Sequence, residues 1–89
     1  MHKQQILIVD DEEINRVILK GLFQDEYQIV EAGNGQEAIA RIEENQNIVL
    51  ILLDIVMPIM NGFGVLDYMK AHDLLEKIVC IIQPETLKT

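Results

Sequence analysis

Short apolar runs alternate with helical patterns along the whole chain. Four segments have the composition of strands, because they are rich in Ile, Leu and Val and are bounded by polar or turn residues. They are Ile6–Val9, Tyr27–Ala32, Ile48–Leu53 and Ile78–Ile82. The third contains no polar residue, which is typical of a strand covered on both faces of a sheet.

Amphipathic segments separate these strands and predict three helices. The first helix has its apolar stripe at spacings of three and four residues, on Ile14, Val17, Ile18, Gly21 and Leu22. The second has its apolar side on Ala38, Ile39 and Ile42. The third, Phe63–His72, is expected to bury Phe63, Val65, Leu66 and Met69. The β-α-β-α-β-α-β order predicts one α/β domain with a parallel sheet, right-handed crossovers and helices on both faces.

Composition narrows the classes of function. The 89 residues suffice for one small domain, and the formal net charge of −8 argues against binding to nucleic acid or to an anionic membrane surface. A single cysteine, Cys80, excludes an intramolecular disulfide and a cysteine-based zinc site. The longest apolar run is far shorter than the ~20 residues of a membrane span, and no signal peptide is recognisable. We therefore expect a cytoplasmic protein.

Acidic residues follow two of the predicted strands. Asp10 and Asp11 come directly after the first strand, and Asp54 follows the third. Ligands of such sheets bind at the carboxyl ends of the strands, so these three carboxylates are expected to converge there. Like charges at close range favour a bound cation, and Mg²⁺ accepts carboxylates, waters and a phosphate oxygen. Asp54 is the candidate nucleophile for a phosphoryl group. The alternative is that each acid is an ordinary helix cap or turn former.

The residues around these acids resemble a known family. The segments Ile6-Leu7-Ile8-Val9-Asp10-Asp11 and Leu52-Leu53-Asp54-Ile55-Val56-Met57-Pro58-Ile59-Met60-Asn61-Gly62 are similar to the receiver domain of two-component response regulators. The Asp-x-x-Met-Pro-x-Met-x-Gly string is highly specific, and the resemblance extends from Gln5 to about Ile82.

The resemblance implies a fold and a set of roles. The fold is a flavodoxin-like, doubly wound parallel sheet. By this resemblance Asp54 is expected to be the phosphoacceptor, with a histidine kinase or a phosphotransfer protein as its partner. Asp11 and Asp54 would bind Mg²⁺ directly, Asp10 would act mainly through a water, and the backbone carbonyl of Val56 would be a further ligand. The chain is expected to accept a phosphoryl group by self-catalysis and not to be a turnover enzyme.

Several family features are missing from this sequence. Gln83 and Pro84 occupy the place of a Thr or Ser that donates to the phosphoryl oxygen, and Thr86 serves only if the strand register slips. The family Lys at the end of a fifth strand has no counterpart, because no strand separates Lys88 from the fourth strand. Residues 1–89 are therefore expected to form a receiver-like domain with four strands and three helices. It lacks the fifth strand and fifth helix, and residues from about 83 form a tail or the start of a fourth helix.

These departures leave three hypotheses for function. The first is a phosphoacceptor module of a two-component phosphorelay. The second is a degenerate or truncated receiver that acts in protein interaction or dimerisation without phosphorylation. The third, a phosphatase-like α/β hydrolase, is disfavoured because Val56 stands where that family places a second Asp. Without the fifth strand and fifth helix, an open sheet edge and an uncovered sheet face predict a homodimer or a strand-exchanged oligomer, or a chain that is poorly stable alone.

Overall fold

The computed structural model describes residues 3–54 and 62–83, and strands and helices alternate in these ranges. The elements are β1 (Gln5–Val9), α1 (Glu13–Phe23), β2 (Gln28–Ala32), α2 (Gly35–Glu44), β3 (Ile48–Asp54), α3 (Gly62–Ala71), a short 3₁₀ turn (Leu74–Glu76) and β4 (Val79–Gln83). The predicted order of strands and helices is confirmed, and the predicted strand ends differ from the observed ones by at most one residue.

The four strands form one parallel sheet in the order β2-β1-β3-β4. This order is that of a doubly wound, flavodoxin-like sheet, as predicted. The strands β1 and β3 are central and pair with each other, so that Val9 lies beside Leu53. The last residue of β3, Asp54, lies beside Gln83 at the end of β4.

Side chains on the two faces of the sheet form two separate cores. The larger core lies under α2 and α3, and its buried members include Leu7, Val9, Ala38, Ile42, Ile51, Leu53, Val65 and Met69. The smaller core lies under α1 and combines the buried Ile6, Ile8 and Leu52 with the partly buried Leu19 and Phe23. Successive residues of β1, and of β3 from Leu50 to Leu53, therefore alternate between the two cores, which confirms that β3 is covered on both faces.

Helix α2 has a polar cap at each end. The side chain of Asn34 accepts a hydrogen bond from the backbone N–H of Glu37 at 2.9 Å, and the Glu37 carboxylate accepts one from Gly33 N–H at 2.8 Å. At the other end, the Asn45 amide donates to the carbonyl oxygen of Arg41 at 2.8 Å. These side chains satisfy backbone groups that a helix leaves unpaired at its ends.

Helix α1 covers the sheet with only part of its apolar surface. Leu19 and Phe23 contact the smaller core, whereas the predicted stripe on Ile14, Val17, Ile18 and Leu22 is 53–69% exposed. The helix itself was predicted correctly. The side chains of Leu19 and Phe23, four residues apart on the helix, make the contact with the sheet instead.

An apolar surface extends from α1 to the edge of the sheet. Ile18 and Leu22 line an open cavity of about 350 Å³ that reaches Leu52 of β3 and Gln83 of β4. On the same face of β4, Val79 and Ile81 are exposed. We call Ile18, Leu22, Val79 and Ile81 the apolar flank. Among the described strands β4 pairs only with β3, so the predicted open edge belongs to β4.

Helix α3 buries a narrower stripe than predicted. Val65 and Met69 are completely buried and Leu66 is partly buried, as expected. Phe63 was also expected in the core, but it is 57% exposed. Phe63 precedes Val65 by two residues, and at 3.6 residues per turn this spacing places the two side chains on opposite sides of the helix.

Candidate metal and phosphoacceptor site

Three carboxylates meet at the carboxyl ends of the two central strands. One oxygen from each of Asp10, Asp11 and Asp54 lies within 4.8 Å of the other two. Asp10 is 0% exposed and Asp54 is 1% exposed, whereas Asp11 is exposed. The structure thus brings together the three acids that the sequence placed at this edge.

Strand periodicity explains why the two buried acids share one face. Every second residue of β1 points toward α1, and Asp10 continues the row begun by Ile6 and Ile8. Asp54 continues the corresponding row of β3 after Leu52. Because β1 and β3 are parallel and paired, both rows end at the same edge, beside the start of α1.

Asp10 is held by hydrogen bonds through its backbone and its side chain. Its N–H donates to the carbonyl oxygen of Ala32 at 3.1 Å. Its carboxylate accepts from the backbone N–H of Glu12 at 2.9 Å and from the side-chain amide of Asn15 at 3.4 Å. Its carbonyl oxygen accepts from Nη1 of Arg16 at 2.6 Å. The orientation of this buried acid is therefore determined by α1 as well as by the sheet.

Asn15 and Arg16 were missed by the sequence reasoning. They are the polar residues between Ile14 and Val17 on an otherwise apolar stretch of α1. Their position one turn into the helix that follows Asp10 was the available signal, because side chains of a first turn point back toward the helix N-terminus.

The donor set fits a hard divalent cation. Two carboxylates removed from water carry a large desolvation cost unless a counter-charge compensates it. Two positively charged side chains of α1 are ion-pair partners of Glu31 on β2. The Arg16 guanidinium lies 3.2 Å from the Glu31 carboxylate, and the Lys20 ammonium lies 4.0 Å from it. Oxygen-only ligands with room for waters are those that Mg²⁺ takes.

The remaining residues singled out in the sequence fall into two groups. Gln83 is described, and as the cross-strand neighbour of Asp54 it lies at the same edge of the sheet. Val56, Pro84, Thr86 and Lys88 lie outside the described residues. Residues 55–61, which include most of the motif that follows Asp54, lie outside them as well.

Comparison with known proteins decides the family. Residues 6–87 match the family described as "Response regulator receiver domain". The chain belongs to this family. The match includes both central strands and all three carboxylates of the site.

Relatives with known names agree with this assignment. The transcriptional regulatory protein SrrA of Staphylococcus aureus (strain NCTC 8325 / PS 47) is 44% identical over 69 residues, which cover 76% of this chain and 28% of SrrA. The chain thus spans little more than a quarter of that curated relative. Among the described residues, no helix of this receiver domain is both long and apolar enough to cross a membrane.

Solved receiver structures share the fold. The response regulator TrrA of Thermotoga maritima, solved in complex with Mg²⁺-BeF, is 34% identical with a TM-score of 0.74, covering 89% of this chain and 65% of that one. The receiver domain of Ssk1 from Saccharomyces cerevisiae, co-crystallised with the histidine phosphotransfer protein Ypd1, matches at 25% identity and a TM-score of 0.75. That match covers 90% of this chain and 62% of the other.

Proposed function

We propose that this receiver domain is a phosphoacceptor in a two-component phosphorelay, with Asp54 as the residue that takes the phosphoryl group. The observation that carries the proposal is the convergence of Asp10, Asp11 and Asp54 within 4.8 Å at the carboxyl edge of the sheet. The proposed donor is a phosphohistidine of a histidine kinase or a phosphotransfer protein, and the proposed compartment is the cytoplasm. The structure of Ssk1 bound to Ypd1 supports this choice of partner.

The proposed metal is Mg²⁺, held directly by Asp11, Asp54 and the backbone carbonyl of Val56, and through a water by Asp10. When bound, Mg²⁺ supplies neutralisation of the negative charge that a phosphoryl group brings to the acids. Asp10 is suited to an indirect role because its carboxylate already accepts hydrogen bonds from Glu12 and Asn15. The Mg²⁺-BeF complex of TrrA supports the choice of metal.

The proposed transfer is a direct displacement at phosphorus. A carboxylate oxygen of Asp54 forms a bond to phosphorus, and the bond between phosphorus and the donor imidazole nitrogen breaks. The nitrogen keeps the bonding electron pair, and the donor leaves as a neutral imidazole because the other ring nitrogen of the phosphohistidine carries a proton. The product is an aspartyl phosphate, and each chain accepts one group, so the domain acts as a covalent acceptor and not as a turnover enzyme.

Intact mass spectrometry tests the proposal with acetyl phosphate as the phosphoryl donor. We expect a gain of one phosphoryl group in the presence of Mg²⁺ and none when EDTA is added. Asp54→Asn is expected to abolish the gain, and Asp67→Asn, the same change at an exposed position of α3, is expected to retain it. No gain in a sample shown by circular dichroism to be folded contradicts the proposal.

A second candidate function is protein interaction without phosphorylation. It is favoured by Gln83, which lies beside Asp54 where the family resemblance implies a short hydroxyl side chain. Gln83→Thr separates the two functions. If the wild-type chain accepts a phosphoryl group, we expect the variant to accept it faster. Acceptance by the variant alone identifies the natural chain as a degenerate receiver.

We also propose that the chain associates with a second copy through the edge of β4, as a homodimer or by strand exchange. The five residues of β4 carry no charge, so pairing two copies at this edge brings no like charges face to face despite the net charge of −8. Size-exclusion chromatography with light scattering is expected to give the mass of a dimer. Ile81→Lys on the apolar flank is expected to give monomers, whereas Phe63→Lys on α3 is not. A cooperatively folded wild-type monomer contradicts the proposal.

A further inference from the structure

One arginine connects the start of α1 to the end of β1. The Nη1 of Arg16 donates to the carbonyl oxygen of Asp10 at 2.6 Å, a short hydrogen bond with a charged donor. The side chain of Arg16 is only 18% exposed. A charged hydrogen bond in such a sheltered place restricts the peptide that follows Asp10, and this peptide leads directly into Asp11.

The guanidinium of Arg16 is itself held on its other side. Its Nε donates to a carboxylate oxygen of Glu31 on β2 at 3.2 Å, and its Nη1 lies 3.6 Å from where a Cβ on Gly33 would stand. Arg16 therefore bridges the ends of β1 and β2 with two directed hydrogen bonds. A lysine has a single nitrogen and cannot reproduce the fixed spacing of two donors on one planar group.

We propose that Arg16 is a positioning residue for the metal site. It fixes the Asp10 peptide, and thereby the directions in which the Asp10 and Asp11 carboxylates point. The proposal rests on the proposed function, because it requires that these carboxylates take part in binding Mg²⁺. Partners of this kind, one step removed from the metal ligands, typically change metal affinity about 10- to 100-fold when they are removed.

A positioning role and a charge effect predict opposite results. As a positive charge beside three acids, Arg16 opposes the approach of a cation, so its removal strengthens Mg²⁺ binding if charge alone matters. If Arg16 acts by holding the Asp10 peptide, its removal weakens binding. Arg16→Lys separates the two effects, because it keeps the charge and loses the two-donor geometry.

The test is a calorimetric titration of the full chain with Mg²⁺. We expect about 10-fold weaker binding for Arg16→Met and for Arg16→Lys. Arg41→Met is the matched control, since Arg41 donates to the backbone oxygen of the same Glu31 at 3.3 Å. It removes an arginine from the same region without touching Asp10, so its affinity is expected to match the wild type.

The Mg²⁺ dependence of phosphorylation by acetyl phosphate is a second measurement, and it distinguishes weaker Mg²⁺ binding from a general loss of stability. The Mg²⁺ concentration for half-maximal rate is expected to rise about 10-fold in both Arg16 variants, with the rate at saturating Mg²⁺ largely kept. If Arg16→Met does not fold, the same measurements are made on Arg16→Lys and Glu31→Gln. Glu31→Gln tests the same role because it removes the charged partner that orients Arg16.

The outcomes distinguish this inference from the proposed function. Wild-type binding of Mg²⁺ with unchanged affinity in both Arg16 variants overturns the inference and leaves the proposed function standing. Tighter binding by Arg16→Met, with wild-type affinity in Arg16→Lys, also overturns it and assigns Arg16 a charge effect. A folded wild-type chain that binds no Mg²⁺ overturns the proposed metal site and the inference together.

Discussion

Replacing Asp54 by Asn is expected to stabilise the metal-free protein. Asp10 and Asp54 are both buried, and one carboxylate oxygen of Asp10 lies within 4.8 Å of one of Asp54. Two unit charges at that separation repel by about 3.5 kcal/mol at an effective dielectric constant of about 20. Asn has nearly the same shape as Asp and carries no charge, so the variant removes this repulsion and leaves the packing in place.

The observed gain will be smaller than the full Coulomb energy. Hydrogen bonds from Glu12 and Asn15 to the Asp10 carboxylate already offset part of the cost of its charge. We therefore expect a gain of about 1–3 kcal/mol in the free energy of unfolding. For a domain of this size, each kcal/mol corresponds to a rise of roughly 4–8 °C in Tm.

Urea unfolding followed by far-ultraviolet circular dichroism measures this difference, since the chain contains no Trp. The titration is made in EDTA at low salt, with Asp67→Asn as the control for losing one exposed negative charge. Added Mg²⁺ is expected to narrow the gap, because a ligand that binds only the folded state stabilises it. Equal or lower stability of Asp54→Asn in EDTA would refute the reasoning that repulsion among clustered acids destabilises the apo form.

Three further predictions concern the scaffold. Asn34→Ala removes the side-chain cap of α2 and is expected to lower the free energy of unfolding in urea by about 1 kcal/mol; an unchanged midpoint contradicts this. Met69→Ala leaves a cavity in the larger core and is expected to lower the free energy of unfolding by about 2–5 kcal/mol in the same assay. Phe63→Ala, on the exposed side of α3, is expected to lower it far less. Equal decreases for the two variants would contradict the difference in burial between Met69 and Phe63. Burial raises the pKa of the Cys80 thiol, so iodoacetamide is expected to label Cys80 more slowly in the folded than in the urea-unfolded chain at pH 8. Equal labelling rates in the two states contradict this prediction. The contribution of the protonated thiol to stability is lost as the pH rises above the unfolded-state pKa of Cys80.

The strand pattern was sufficient to predict most of the fold. A run such as Ile48–Leu53 has no polar face, so it belongs in the middle of a sheet covered on both sides, and β3 lies there. The acids at the ends of β1 and β3 converge because parallel strands share a carboxyl edge. Both predictions depend on backbone geometry that every residue of a strand obeys, and this is why local sequence was enough.

Tertiary contacts decided the features that the sequence analysis missed. Periodicity shows that α1 has apolar residues, but the choice of Leu19 over Ile18 to face the sheet depends on how the helix lies across β1 and β2. Arg16 was overlooked because its partners, Asp10 and Glu31, are 6 and 15 residues away and meet only after β1 and β2 pair. The position of Arg16 shortly after Asp10 was visible in the sequence, but its hydrogen bond to Glu31 on a second strand has no signature in a one-dimensional pattern.

The central position of β1 and β3 links the acidic site to the global cooperativity of the molecule. Amides in strands with a partner on each side exchange with solvent only through large-scale opening, whereas edge strands open more easily. Asp10 directly follows β1, and Asp54 is the last residue of β3. The repulsion between the two carboxylates is therefore released only when the most protected part of the sheet opens. Binding at the site is therefore expected to change the exchange rates of the slowest amides, which are those of β1 and β3. Hydrogen exchange along these two strands then measures what is bound at their ends.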